Sequence, residues 1–159
     1  MTSIFIDWRV NAGDVRIQCA LVLFRAARRL RTSRIHVTRI LGKLLCLVYL
    51  VVVEWTWGLE LPWATVVGPR LRIYHGTGIV INAGASLGAD IVLRQGVCIG
   101  ARASDGKSPI VGNSVQFGAN SIALGNIKIG SGAIIGAGAV LLIDVPEGMS
   151  AVGNPARII

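Results

Sequence analysis

The sequence predicts an all-β solenoid, a parallel β-helix, preceded by a short α-helical segment. Three observations point there. From Glu60 onward, aliphatic or small residues recur every six positions. Glycine is abundant, 20 of 159 residues, in a chain that is 53% hydrophobic and only 6% aromatic, which suits repeated tight turns and argues against disorder. Charge is segregated: nine of the 16 Lys/Arg lie in residues 1–43 against only Asp7 and Asp14, so nearly all of the net +8 sits there.

The period decides the fold class. One series runs Ile81, Leu87, Leu93, Ile99; another runs Val111, Phe117, Ala123, Ile129, Ile135, Leu141. Glycine follows directly at Gly88, Gly100, Gly112, Gly118, Gly130 and Gly136. A fixed six-residue repeat is a β-helix signature. Each hexapeptide is one short strand and a turn, its aliphatic residue pointing inward. One coil alone buries nothing. Stacked coils bury a continuous aliphatic column and pair their backbones about 4.8 Å apart. A buried helix is the competing reading of an apolar run, but each glycine would cost it about 1 kcal/mol. The solenoid is assigned to residues 59–159 and the basic, apolar segment to 1–58.

Residues 14–43 read as one helix, with Ile17, Ala20, Leu21 and Phe24 on one face and Arg25 and Arg29 on another. The arginines suit either a solvated helix face or an anionic partner. A membrane surface is preferred over nucleic acid, because no stacking platform or binding motif accompanies them. The uncharged run Leu44–Val53 is ten residues, too short to span a bilayer. It reads as a buried or interfacial helix. Arginines before it and Trp55, Trp57 and Trp63 after it suit peripheral membrane attachment; packing against the solenoid or a neighbouring subunit is the alternative. The opening residues, with Asp7 and Asp14 and no basic-then-apolar start, do not read as a secretory signal. Cys19, Cys46 and Cys98 stand far apart with no Cys/His cluster, so neither a metal site nor a disulfide framework is expected, and a cytoplasmic setting fits.

Two breaks in the period locate function. Ile73 to Ile81 is eight residues rather than six, so two extra residues enter one side of a coil within Tyr74–Gly78. At Gly100–Pro109 the phase is kept, yet the inward position would be Asp105, and burying an unpaired carboxylate is prohibitive. That stretch is expected to be a loop thrown out of the coil, where repeat proteins put function. Of the two histidines, His36 lies among arginines and is expected at the surface. His75 sits inside the first break, flanked by Gly76 and Gly78. The sequence has no nucleophile elbow, no phosphate-binding loop and no dinucleotide fingerprint. A single general base remains.

The stretches Ile73-Tyr74-His75-Gly76-Thr77-Gly78-Ile79-Val80-Ile81, Leu124-Gly125-Asn126-Ile127, Ile135-Gly136-Ala137-Gly138-Ala139-Val140 and Val152-Gly153-Asn154-Pro155-Ala156-Arg157 carry a resemblance. Residues 60–157 resemble the left-handed β-helix (hexapeptide-repeat) acyltransferases of the serine acetyltransferase-like branch. The resemblance alone implies the left hand; parallel crossovers ordinarily take the opposite one. It implies acetyl transfer from acetyl-CoA, without a metal, in a homotrimer. It puts the catalytic base on His75 and its carboxylate partner on Glu60, where the serine enzymes carry Asp. Ala119 and Ala137 inherit contacts to CoA, and Gly100 borders the thioester end. Where the serine enzymes carry Arg-His-Pro, this chain has Lys107-Ser108-Pro109; where they carry an Asp before the histidine, it has Tyr74. Both substrate-reading positions differ, so the acceptor expected is not serine. The short basic-apolar N-terminus is similar to that of exopolysaccharide (colanic-acid type) biosynthesis acetyltransferases. A saccharide or lipid-linked oligosaccharide at the inner face of the cytoplasmic membrane would suit it, with Tyr74 as a stacking partner. Serine O-acetyltransferase and a non-catalytic scaffold are the alternatives.

Overall fold

The computed structural model describes residues 3–102 and 106–159. From Leu59 the chain winds through three parallel sheets, one on each side of a triangular coil. The first sheet stacks Leu59–Glu60, Ile79–Ile81, Cys98–Gly100, Ile122–Leu124 and Val140–Leu141. The second stacks Val66–Val67, Ser86–Leu87, Ile110–Val111 and Lys128–Ile129. The third stacks Arg72–Tyr74, Val92–Arg94, Gln116–Phe117, Ile134–Ile135 and Ser150–Val152, with Arg157–Ile158 added antiparallel to close the far end.

Register follows the repeat. Phe117 pairs with Ile135, so a regular coil is three hexapeptides. The coil from Ile73 to its partner Leu93 is longer by two residues, and the coil from Ile99 to Ala123 by one whole hexapeptide. These offsets are the two breaks read from the period. The inward positions Ile73, Ile81, Leu87, Leu93, Ile99, Val111, Phe117, Ala123, Ile129, Ile135 and Leu141 are all buried. Asp105, the expected outward-thrown residue, lies outside the described residues.

A stack of this kind leaves its first coil with an open edge and an open end. The N-terminal segment closes both. At the edge, Leu71 N–H donates to Asp7 Oδ1 (2.9 Å) and Ile73 N–H to Asn11 Oδ1 (2.9 Å), while Asn11 Nδ2 donates to the Leu71 carbonyl (2.8 Å). Two side chains thus substitute for a neighbouring strand. Over the end lies α1 (Val15–Arg31), which presents Ile17, Ala20, Leu21 and Phe24, all buried in one core with Leu59, Ile73 and Ile79.

The N-terminal segment differs from expectation in three ways. The single helix read over 14–43 is two: α1 ends at Thr32, whose hydroxyl donates to the Arg28 carbonyl, and α2 (His36–Tyr49) doubles back along it. At their contact Gly42 allows a close approach, since a Cβ there would lie 3.0 Å from Leu30 Cβ and from the Arg31 nitrogen. Second, Arg25 is no solvated charge. Its side chain is 12% exposed, forks onto the buried Asp7 carboxylate (2.8 and 3.2 Å) and donates to the Val67 and Gly68 carbonyls. Third, the apolar run packs on the solenoid by one side only. It belongs to one continuous helix of 21 residues, His36–Thr56, whose second part, Leu50–Thr56, is a π-helix. By length and composition this helix could cross a bilayer, unlike the ten-residue run alone. Tyr49 and Val53 are buried on its inner side, with the Tyr49 hydroxyl on the Leu61 carbonyl (2.8 Å). Val37, Ile40, Leu41, Leu44, Leu47, Val48, Val51 and Trp55 are exposed.

Asp7→Ala would strand the Arg25 guanidinium with carbonyls only and orphan the Leu71 N–H. The expected loss is about 3–5 kcal/mol, read as a lower denaturation midpoint; a shift no larger than that of an exposed-residue control would refute this account of the cap.

Candidate active site

The widened corner joins the third sheet to the first. His75 there has φ +52° and an exposed side chain. A left-handed backbone costs a non-glycine residue about 1–2 kcal/mol, and such strain persists only where the surroundings impose it. They do so here. A Cβ on Gly76 would lie 2.7 Å from Ile17 Cδ1 and 3.3 Å from Ile73 Cγ2, so α1 packs tightly on the corner and a larger residue there would have to displace the Ile17 side chain. On the other side Gly78 N–H donates to the Gly58 carbonyl (2.8 Å). The histidine is held between the cap and the first coil.

Beside it is a cleft of about 370 Å³ lined by Val10–Asp14 on one wall and Arg72–His75 on the other. Asp14 caps α1 by accepting the Ile17 N–H (3.1 Å). A larger hollow of about 490 Å³ lies elsewhere, between the N-terminal residues and the arginines of α1, and none of the candidate site residues lines it.

Three candidate residues share one edge. Corners of successive coils stack through Gly96 N–H to the Thr77 carbonyl (3.1 Å), Asn120 N–H to Gln95 (2.9 Å) and Gly138 N–H to Ala119 (2.8 Å). His75, Ala119 and Ala137 therefore line the same corner of the prism, on the first, third and fourth turns. The small side chains keep this edge open.

Glu60 is exposed on the outer face of the first sheet, in register with Val80, which pairs in turn with Cys98. No hydrogen bond joins it to His75 among the described residues. Its charge is felt by its neighbours. Burial pushes the Glu54 carboxyl up and Glu60 adds to it; burial likewise raises the Cys98 thiol, with Glu60 second. Cys98 is thus held as a neutral thiol, no nucleophile.

Gly100, Lys107 and Ser108 lie at the opposite corner, between the first and second sheets. Gly100 pairs with Leu124. Ser108 is buried, its hydroxyl donating to Asn82 Oδ1 (3.0 Å), and Lys107 is exposed. Within one chain the first sheet separates these residues from His75. Tyr74 is beside His75, but its ring is not bare: the Arg72 guanidinium lies 4.5 Å and the Arg94 guanidinium 4.9 Å from its centroid. Neither arginine stood out in the sequence. Their signal was the repeat itself: Arg72 and Tyr74 alternate outward with Ile73 inward, and the lengthened coil sets Arg94 opposite Tyr74. No group of three or more His, Cys, Asp or Glu that could hold a metal exists among the described residues.

The model of the family described as bacterial transferase hexapeptide (six repeats) matches residues 108–142. The Escherichia coli (strain K12) protein named "Putative colanic acid biosynthesis acetyltransferase WcaB" is 36% identical over 157 residues, covering 96% of each chain. The chain belongs to the hexapeptide-repeat transferases. It is an acetyltransferase. Among solved structures, soybean serine acetyltransferase apoenzyme is 32% identical with a TM-score of 0.81 over 97% of this chain and 66% of that one. A serine acetyltransferase in complex with CoA is 27% identical, TM-score 0.78, over 98% and 68%. The solenoid is accordingly a left-handed parallel β-helix. Enzymes of this kind take their acetyl group from acetyl-CoA.

Because the left-handed backbone is imposed on His75, His75→Gly is expected to hold or raise the denaturation midpoint, by up to about 1 kcal/mol after glycine's own chain entropy is counted. A clear fall would mean that the imidazole itself supports the fold.

Proposed function

We propose that this enzyme moves acetyl from acetyl-CoA to a saccharide hydroxyl in exopolysaccharide assembly, in one direct transfer with His75 as general base. The observation that carries the reading is the position of His75, exposed at the strained, widened corner and at the head of the edge kept open by Ala119 and Ala137. The acceptor hydroxyl gives its proton to the imidazole as its oxygen attacks the thioester carbonyl. The tetrahedral intermediate collapses, the C–S bond breaks, and the CoA thiolate leaves with the proton returned by His75. The pantetheine arm runs along the corner past Ala119 and Ala137, with Gly100 of a neighbouring copy near the thioester. Glu60, on the strand leaving Gly58, turns toward the imidazole on substrate binding and fixes its tautomer.

A homotrimer, the assembly typical of these transferases, is supported by the placement of the two corners. His75 and the Lys107–Ser108 loop flank opposite sides of one sheet, so a complete site draws the loop from a second copy. The E. coli relative, named for colanic acid biosynthesis, supports a saccharide acceptor, as does Tyr74 in place of an acid that would hold an ammonium group.

The helix His36–Thr56 supports a peripheral, interfacial attachment on the cytoplasmic face of the membrane. Its exposed apolar residues fall on one stripe, flanked by His36, Arg39 and Lys43, while its inner side is bound to the protein. That attachment would present the site to a lipid-linked acceptor.

With acetyl-CoA and oligosaccharide acceptors, free thiol should appear faster than with L-serine, and His75→Ala should lower kcat/KM by about 10²–10⁴-fold. Faster release with serine would replace the saccharide reading, and an unchanged His75→Ala rate would make the solenoid a scaffold. Vesicles containing phosphatidylglycerol should pellet the protein, and Leu44→Glu with Val48→Glu should abolish this; equal pelleting of both would refute the interfacial helix.

A further inference from the structure

Arg72, Tyr74 and Arg94 form a cluster that the transfer mechanism does not use. Arg72 and Tyr74 leave the same outer face of one strand, and Arg94 stands in register opposite Tyr74 on the next. Both guanidinium groups rest on the one ring, 4.5 and 4.9 Å from its centroid. Both arginines are exposed, and neither has a carboxylate partner among the described residues. Contrast Arg70, also exposed, which is paired with Asp90. Two like charges drawn to one ring repel each other, and the cation–π attraction offsets only part of that cost. An anion within reach of both guanidinium groups would offset that repulsion. Stacking on the ring limits the rotamers of both forks, which suits them to bidentate recognition of a carboxylate or phosphate. Tyr74 is adjacent to His75 in the chain, and Arg72 lines the same cleft as His75. The cleft also holds the Asp14 carboxylate, which caps α1 through Oδ1, so the anion is placed on the Arg94 side of Arg72.

We propose that Arg72 and Arg94, set by Tyr74, form an acceptor subsite for an anionic group, so that the saccharide acetylated at His75 carries a negative charge near the reacting hydroxyl. The group is a uronate carboxylate or a sugar phosphate; both present the same planar or forked oxygens to the arginines. Tyr74 then acts as a positioning residue for the two guanidinium groups rather than as a bare platform for a sugar ring. This rests on the saccharide reading above, and its test includes binding measurements that do not depend on turnover.

The experiment uses the full-length chain saturated with CoA and follows the His75 ring resonances by NMR while D-glucuronate, D-glucose 1-phosphate or D-glucose is titrated in. The anionic sugars should perturb His75 and D-glucose should not, with binding weakened by salt. Whichever of the carboxylate and phosphate binds tighter identifies the source of charge. Arg72→Gln with Arg94→Gln should weaken that binding by about 10–100-fold, the loss expected of charge-assisted hydrogen bonds. Arg72→Lys with Arg94→Lys, which keeps charge but not the fork, should fall between. In turnover, a uronate-containing oligosaccharide should be preferred over its carboxyl-reduced counterpart, or a phosphorylated acceptor over its dephosphorylated one. The glutamine variant should raise KM for the anionic acceptor while leaving KM for acetyl-CoA and the midpoint of denaturation unchanged. Equal binding of D-glucose and the anionic sugars, no binding of either anion, or an unaltered glutamine variant would overturn the subsite. Loss of transfer in His75→Ala, with anion binding measured by calorimetry intact, would separate the base from the subsite. Binding intact in wild type without acetylation of any saccharide would instead overturn the proposed acceptor, leaving the anion site standing.

Discussion

The strands of a parallel coil make their backbone hydrogen bonds upward and downward to other coils, and only the turns bond within a coil. That obligation organises the molecule. In the interior it is met by repetition: each hexapeptide meets its equivalent in the next coil, and the inward aliphatic residues stack into a continuous core. At the two ends repetition stops, and donors and acceptors must be satisfied by something else. The far end is met by the antiparallel strand Arg157–Ile158. The near end is met by side chains, Asp7 and Asn11, with Arg25 neutralising the buried carboxylate and binding two further carbonyls. The basic N-terminal segment is therefore partly a structural cap, although the sequence suggested a solvated or partner-seeking face for its arginines.

The cap also shapes the site. Ile17 of α1 presses on Gly76, and the Gly78–Gly58 hydrogen bond anchors the other flank of the corner. Between them His75 is carried in a left-handed conformation that it would not choose. The same element that shields the first coil from edge-to-edge association thus packs against the corner that carries the candidate base. Stability and chemistry are coupled through one helix.

Its partner helix makes a different compromise. Helix α2 and its π-helical extension spend their inner side on Tyr49 and Val53, the first hydrogen-bonded to the Leu61 carbonyl. Their outer side is left apolar and solvent-facing, a cost that an isolated soluble chain has no reason to bear. An interfacial role would account for it, and would bring the anion-receptive face of the first coil toward the membrane from which a lipid-linked acceptor comes.

The solenoid was legible in the sequence because a six-residue period is a local property: Phe117, Ile129 and Ile135 point inward for the same reason at each step, and both interruptions shifted register by the amounts counted from it. His75 was legible as a break in that period. What the sequence could not decide was set by contacts between distant residues. The close approach of α2 to α1 is seen where Gly42 meets Leu30. The buried state of Arg25 depends on Asp7, an aspartate outside its own helix, and the engagement of Tyr74 depends on Arg94, an arginine of the next coil. Periodicity assigns a side chain to the inside or the outside of a coil. Which outward side chains then face one another depends on how coils and cap are stacked, and only the tertiary structure decided that.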